Sequence, residues 1–146
     1  MLRRKNICIL IIVVLLILIG LSGCTGVKTA NLEINFDPNP VYCENNELLW
    51  RVIISETNGV GVNLKTIVQD VYIGDDYIAN WHTNNEAWIE EVWGTSYLSA
   101  FSSMDFNAGM GPCEGNTGIA IKCKVTGIDD NGNPIEATGR VDLLPE

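Results

Sequence analysis

The sequence predicts an all-β fold, an antiparallel β-sandwich of about seven strands that follows an apolar N-terminal segment. Three observations carry this. From Leu32 onward, apolar and polar residues alternate at period two in one short run after another, the pattern of strands with one face in a core. Turn signals such as Glu56-Thr57-Asn58-Gly59 and Asp129-Asp130-Asn131-Gly132-Asn133 separate the runs. Hardly any stretch shows the 3.6-residue period of a helix. Many short strands with turns between them form a sandwich.

The first segment is of another kind. Arg3, Arg4 and Lys5 precede the apolar run Ile7 to Leu21, a charged start and apolar middle that suit a secretory signal. A spanning helix wants about 20 apolar residues, and this run falls short before ending in small residues and a cysteine. Leu21-Ser22-Gly23-Cys24 resembles the lipobox of prokaryotic lipoproteins. The resemblance implies cleavage before Cys24 and a diacylglyceryl group on its thiol. It therefore divides the chain into a signal peptide over 1–23, a linker over 24–30 and one domain over 31–146, with the protein tethered to the membrane by its N-terminal lipid on the extracytoplasmic side of the envelope.

Charge narrows the partners. Loss of the three basic residues of the signal leaves 6 of the 9 lysines and arginines against all 18 acidic residues, a formal charge of −12. Such a surface repels phosphate backbones, which argues against nucleic acid, and it repels anionic headgroups, so the domain stands off the bilayer. Of five cysteines, Cys8 and Cys24 lie in or beside the signal. Cys43, Cys113 and Cys123 allow one bridge and one spare thiol in an oxidising compartment. With no CxxC spacing and His82 as the single histidine, no zinc site is expected, and no motif asks for a cofactor.

Taken in order, Leu32 to Phe36 alternates as a strand until Pro38 and Pro40, which lack the ladder donor, end it. Leu48 to Ser55 is the densest apolar run. Trp50, Val52 and Ile54 share one face and Leu49, Arg51, Ile53 and Ser55 the other, as in a central strand partly covered on both sides. Val60 to Leu64 resumes alternation, and an extended stretch reaches Ile67 to Ile73. After the Gly74-Asp75-Asp76 turn, Tyr77 to Trp81 is a short strand. Asn85 to Trp93 fits either a short helix, capped by Asn84 or Asn85 with Trp88 and Val92 four apart, or another strand. Ser96 to Phe101 is extended, and Ser102 to Gly115 is a glycine-containing loop. The clearest element is the last hairpin. Ile119, Ile121, Cys123 and Val125 face inward, Asn131-Gly132 centres the turn, and Ala137, Gly139, Val141 and Leu143 return on one face.

From about Ala30 to Leu143 the chain resembles the immunoglobulin-like or fibronectin-like domains of prokaryotic surface proteins. The resemblance rests on the Trp50 strand with Glu56-Thr57-Asn58-Gly59-Val60-Gly61-Val62 and on the closing Val125 to Asn133 hairpin. It implies a spacer, an adhesive module or a ligand-binding unit, and transfers no catalytic residue. In such a strand order Cys43 and Cys113 fall in loops at one end of the sandwich and are the implied disulfide, with Cys123 a free core thiol. A Cys43 to Cys123 bridge is the runner-up and would change the strand order.

Candidate chemistry is sparse. Asp129, Asp130, Asn131 and Asn133 offer oxygen ligands, but a calcium loop needs them over twelve residues with a closing glutamate, and the hairpin turn alone accounts for them. His82 has no nucleophile elbow to serve. Glu90-Glu91 could supply glycosidase carboxylates, although chance pairs are common among 18 acidic residues. Aromatic residues give the stronger signal. Tyr72, Tyr77, Trp81, Trp88, Trp93, Tyr97 and Phe101 crowd the section that breaks the sandwich pattern. Amphipathic rings suit surfaces that bind sugars or proteins, or they form a second small core. The expectation is a non-catalytic binding or spacer module, with an extracellular protein or carbohydrate as partner. Its binding surface would comprise Trp81, Trp88, Trp93, Tyr77 and His82, with Glu90-Glu91 at the rim. The alternative is a small envelope hydrolase using Glu90, Glu91 or His82.

Overall fold

The structure, a computed structural model, describes residues 26–145; the signal segment and Cys24 lie outside the described residues. Among the described residues nine strands and one helix follow one another as β1 (Leu32–Asp37), β2 (Val41–Tyr42), β3 (Leu48–Glu56), β4 (Val62–Ile73), β5 (Asp76–Asn85), α1 (Glu86–Trp93), β6 (Tyr97–Leu98), β7 (Ser103–Met110), β8 (Ile119–Asp129) and β9 (Pro134–Leu144). They form two sheets, one ordered β1-β3-β7 and the other β2-β9-β8-β4-β5, with β6 paired to the start of β4. The short β2–β9 contact is parallel and every other pairing is antiparallel.

Alternation explains which side chains fill the space between the sheets. On β3, Leu48, Trp50, Val52 and Ile54 are buried while Leu49 and Arg51 are exposed. From the larger sheet come Leu64 and Ile67 of β4, Ile121, Cys123 and Val125 of β8, and Val141 and Leu143 of β9, all buried. Burial of each such side chain contributes roughly 1.5–3 kcal/mol. Gly139 lets β9 approach β1, since a Cβ there would lie 2.9 Å from Ile34.

The antiparallel sandwich forms as the alternation predicts, and the strand inventory differs in several places. Val41–Tyr42 adds a short strand held by its pairing with β9, and the strand expected over Tyr77 to Trp81 runs from Asp76 to Asn85 because it pairs along β4. Val60 to Leu64 and Ile67 to Ile73 belong to one continuous strand, β4. Only Tyr97–Leu98 of the extended stretch Ser96 to Phe101 pairs, because the chain turns at Ser99, whose carbonyl accepts from the Ser102 amide at 3.2 Å. The stretch expected as a loop over 102–115 contains β7. Its Met104, Phe106, Ala108 and Met110 point inward between Asp105, Asn107 and Gly109, an alternation masked by residues that favour turns. Asn85 to Trp93 resolves as a helix with Asn85 as its cap.

Cys43 and Cys113 form the disulfide, 70 residues apart, joining the loop after β2 to the loop after β7; Cys123 is a free, fully buried thiol. Burial pushes the Cys123 pKa up to about 12.

The opposite end, where the N-terminal segment arrives, is organised by two carboxylates. Glu56 is 2 % exposed. Burial alone would raise its pKa, but its oxygens accept from the backbone N–H groups of Phe101, Asn58, Asn31 and Gly59 at 2.8–3.2 Å, which together hold it at about 2. Asp129 accepts in the same way from the amides of Ala30, Asn131 and Asn133. Asn131 and Asn58 donate to the carbonyls of Lys28 and Thr29, so the linker expected over 24–30 is bound to the domain from Lys28 onward.

Candidate binding cleft

The two sheets differ in width, and the difference leaves one side of the sandwich open. β7 ends the narrow sheet and β5 ends the wide one. α1 lies between these edges. The Asn85 Oδ1 caps it by accepting from the Trp88 amide at 3.1 Å, and Gly94, at φ 75°, ends it in the left-handed conformation that glycine adopts freely. Ile89 is its fully buried anchor. Lys65 on β4 pairs with Glu86 at 2.6 Å, and Ser96 donates to Glu90 at 3.1 Å, fixing the helix against β4 and β6.

Trp88 and Trp93 of α1 meet Phe106 of β7 edge to face, with ring centroids 5.7–6.0 Å apart in all three pairs. Each such contact adds about 0.5–1.5 kcal/mol to plain burial. The Trp93 Nε1 donates to the Asp105 carbonyl at 2.7 Å. This covers the first half of β7. The second half faces a cleft of about 270 Å³.

Trp81 and His82 of β5, Asn84, and Trp88 of α1 form one side of the cleft, and Phe106 to Gly109 of β7 the other. Trp81 is itself seated on Trp50, centroid to centroid 5.6 Å. Gln69 of β4 completes the lining, 2 % exposed, and among the described residues its Nε2 has no hydrogen-bond partner; nor has the Nε1 of Trp50, just behind Trp81. An unsatisfied buried donor costs about 1–3 kcal/mol, so Gln69 favours any occupant that offers it an acceptor. Among the described residues no carboxylate, lysine or arginine lines the cleft, despite the acidity of the chain.

The structure brings together only some of the residues singled out from sequence. Trp81, Trp88 and His82 share the cleft. Trp93 lies beside it as packing for Phe106, and Tyr77 sits at the exposed tip of the β4–β5 hairpin against Tyr72, away from it. Glu90 and Glu91 do not line it, so the hydrolytic candidates do not converge with His82. Gln69, Phe106 and Asn107 were invisible as site residues. Phe106 could have been found by its alternation with Met104 and Ala108, whereas nothing local marks Gln69, which looks like any polar residue of a strand.

No protein-family model and no curated protein matches the chain. Among solved structures it is similar to the CARDB domain of the PF1109 protein of Pyrococcus furiosus, a structure in complex with di-metal ions, at 19% identity and TM-score 0.41 over 84% of this chain and 100% of that one. It is also similar to the putative ApaA protein of Bordetella pertussis, at 12% identity and TM-score 0.44 over 80% and 97%. A third is the sporulation control protein Spo0M of Bacillus subtilis, at 10% identity and TM-score 0.42 over 82% and 51%.

Proposed function

We propose that this chain is a lipid-anchored module of the cell envelope, held on the extracytoplasmic side by Cys24, whose task is to bind a partner without catalysis. The observation that carries this reading is the cleft in which Trp81, Trp88 and Phe106 converge with the unpaired Nε2 of Gln69. Pockets with apolar walls and a few polar groups are where ligands bind. The Cys43–Cys113 disulfide supports an oxidising compartment. The partner is an extracellular protein or carbohydrate, since an acidic domain disfavours polyanions.

Two measurements test it. Wild type should partition into detergent with an acyl-bearing mass at Cys24, and Cys24→Ala should not; equal partitioning ends the anchor reading. At the cleft, His82→Ala and Asn84→Ala change exposed or half-exposed side chains, so stability should shift by about 0.5 kcal/mol or less. Retention of purified cell-wall polysaccharide or envelope proteins on the immobilised chain should nonetheless drop. Unchanged retention leaves the domain as a spacer.

A further inference from the structure

The cleft exists because a three-stranded sheet faces a wider one, and the place beside β7 is filled by α1 along only half of its length. In an antiparallel ladder the N–H and C=O of a residue point to one side, and alternate residues share that side. The Ser102 carbonyl accepts from the Glu56 amide at 2.9 Å, so the even-numbered residues of this segment face β3. The Asp105 carbonyl instead receives the Trp93 indole, so the odd-numbered residues face away. Asn107 and Gly109 follow in that outward phase, and both line the cleft. Among the described residues β7 pairs with β3 alone. Asn107 and Gly109 thus present two N–H and two C=O groups about 6.8 Å apart, the two-residue repeat of an extended chain. The same cleft is lined by Gln69, 2 % exposed, whose Nε2 is unpaired among the described residues.

We propose that an extended segment of a partner protein adds to β7 beyond α1 as the fourth strand of the narrow sheet, placing a neutral, oxygen-bearing side chain between Trp81 and Trp88 over Gln69. The proposal rests on the cleft being the binding site. In strand addition the main-chain bonds supply affinity and the pocket for one side chain supplies specificity. A saccharide can use the aromatic walls, but its hydroxyls do not repeat in register with the β7 edge. A second copy of this chain offers an edge half covered by its own α1. The formal charge of −12 after the signal selects a segment that is neutral across the cleft and basic at its flanks.

The test uses full-length protein in detergent micelles and a displayed library of random linear peptides. Asn107→Pro removes one outward N–H and no bond to β3, a change edge strands tolerate; Gln69→Leu removes the buried amide. Selected peptides should bind wild type at least about tenfold more tightly than either variant, about 1.4 kcal/mol. N-methylation along the peptide should abolish binding at alternate residues only. That scan is made on wild type, so it decides the matter even if a variant misfolds. Failure to select any peptide, or N-methyl effects without alternation, overturns the strand. So does a dimer in ultracentrifugation that Asn107→Pro abolishes, which would place a second copy at β7. If chitotetraose binds and Gln69→Leu loses it while no peptide is selected, the strand fails and the cleft reading stands. Peptides indifferent to both substitutions overturn strand and cleft together.

Discussion

The β8–β9 side and the β5–α1–β7 side are built from the same alternating strands, yet one is closed and the other open. On β8, Ile121, Cys123 and Val125 are all fully buried, because β8 lies between β4 and β9 in the middle of the wide sheet. On β5 and β7 no residue is fully buried, and even inward-facing Trp81 and Phe106 are only half covered. The alternation is alike; the neighbours differ. A strand with partners on both sides and a sheet across from it loses its inner face to the core, whereas two strands at sheet edges share a single short helix for cover. Openness here is therefore a property of strand order, and it leaves the larger aromatic rings where a ligand can reach them.

The disulfide ties the chain just after β2 of the wide sheet to the loop after β7. Replacing Cys43 and Cys113 together by serine should lower stability by about 4 kcal/mol for a 70-residue separation, read from denaturant titration. A loss near zero would mean that the open side does not depend on this tie. Next in size, Ile121→Ala, on the closed side, should cost about 2–5 kcal/mol, and urea midpoints should separate it clearly from any exposed residue of β5.

Acid sharpens the contrast at the end that both sides share. The Glu56 pKa is depressed from the ordinary glutamate value of 4.5 to about 2. Its stabilisation is full above the unfolded value and is lost as pH falls through the folded one. Stability should decline from about pH 4.5 toward pH 2 by something on the order of 1–3 kcal/mol after solvent screening, and Glu56→Gln should flatten that part of the profile. If the two acid titrations coincide, Glu56 does not organise the end loops.

Smaller still, Trp93→Phe keeps a ring against Phe106 but removes the bond to the Asp105 carbonyl, which should cost about 1 kcal/mol. Amide exchange should quicken in β7 and remain slow in β8. Least of all in energy, Cys123 in the closed core should resist thiol reagents until the chain unfolds, given its burial and a pKa near 12. Labelling under native conditions would show that the closed side opens too.

How far the sequence could be read follows the same division. The faces of the β8–β9 hairpin were largely legible from alternation, although Ala120, expected on the polar face, is buried; the turn is centred on Asp130-Asn131, where the Gly132 amide donates to the Asp129 carbonyl, one residue before the expected Asn131-Gly132, and Gly132 takes the positive φ. α1 was ambiguous because eight residues carry barely two turns of period, and the Asn85 cap alone cannot exclude a strand. β7 was read as a loop because Asn107 and Gly109 look like turn residues; their strand conformation comes from pairing with β3, more than 50 residues earlier.

By itself the sequence determined the class of fold, the acidic surface, the candidate signal with Cys24 and the inward faces of the long strands, all of which depend on local period and composition. Which edges were left unpaired, that α1 covers only half of β7, and that Gln69 and Phe106 meet Trp81 and Trp88 around one cleft were decided by tertiary structure. The physical reason is that a strand's alternation fixes what points inward but says nothing about what stands opposite. Burial of the inner face, and the exposure that makes a site, both depend on neighbours that come from distant parts of the chain.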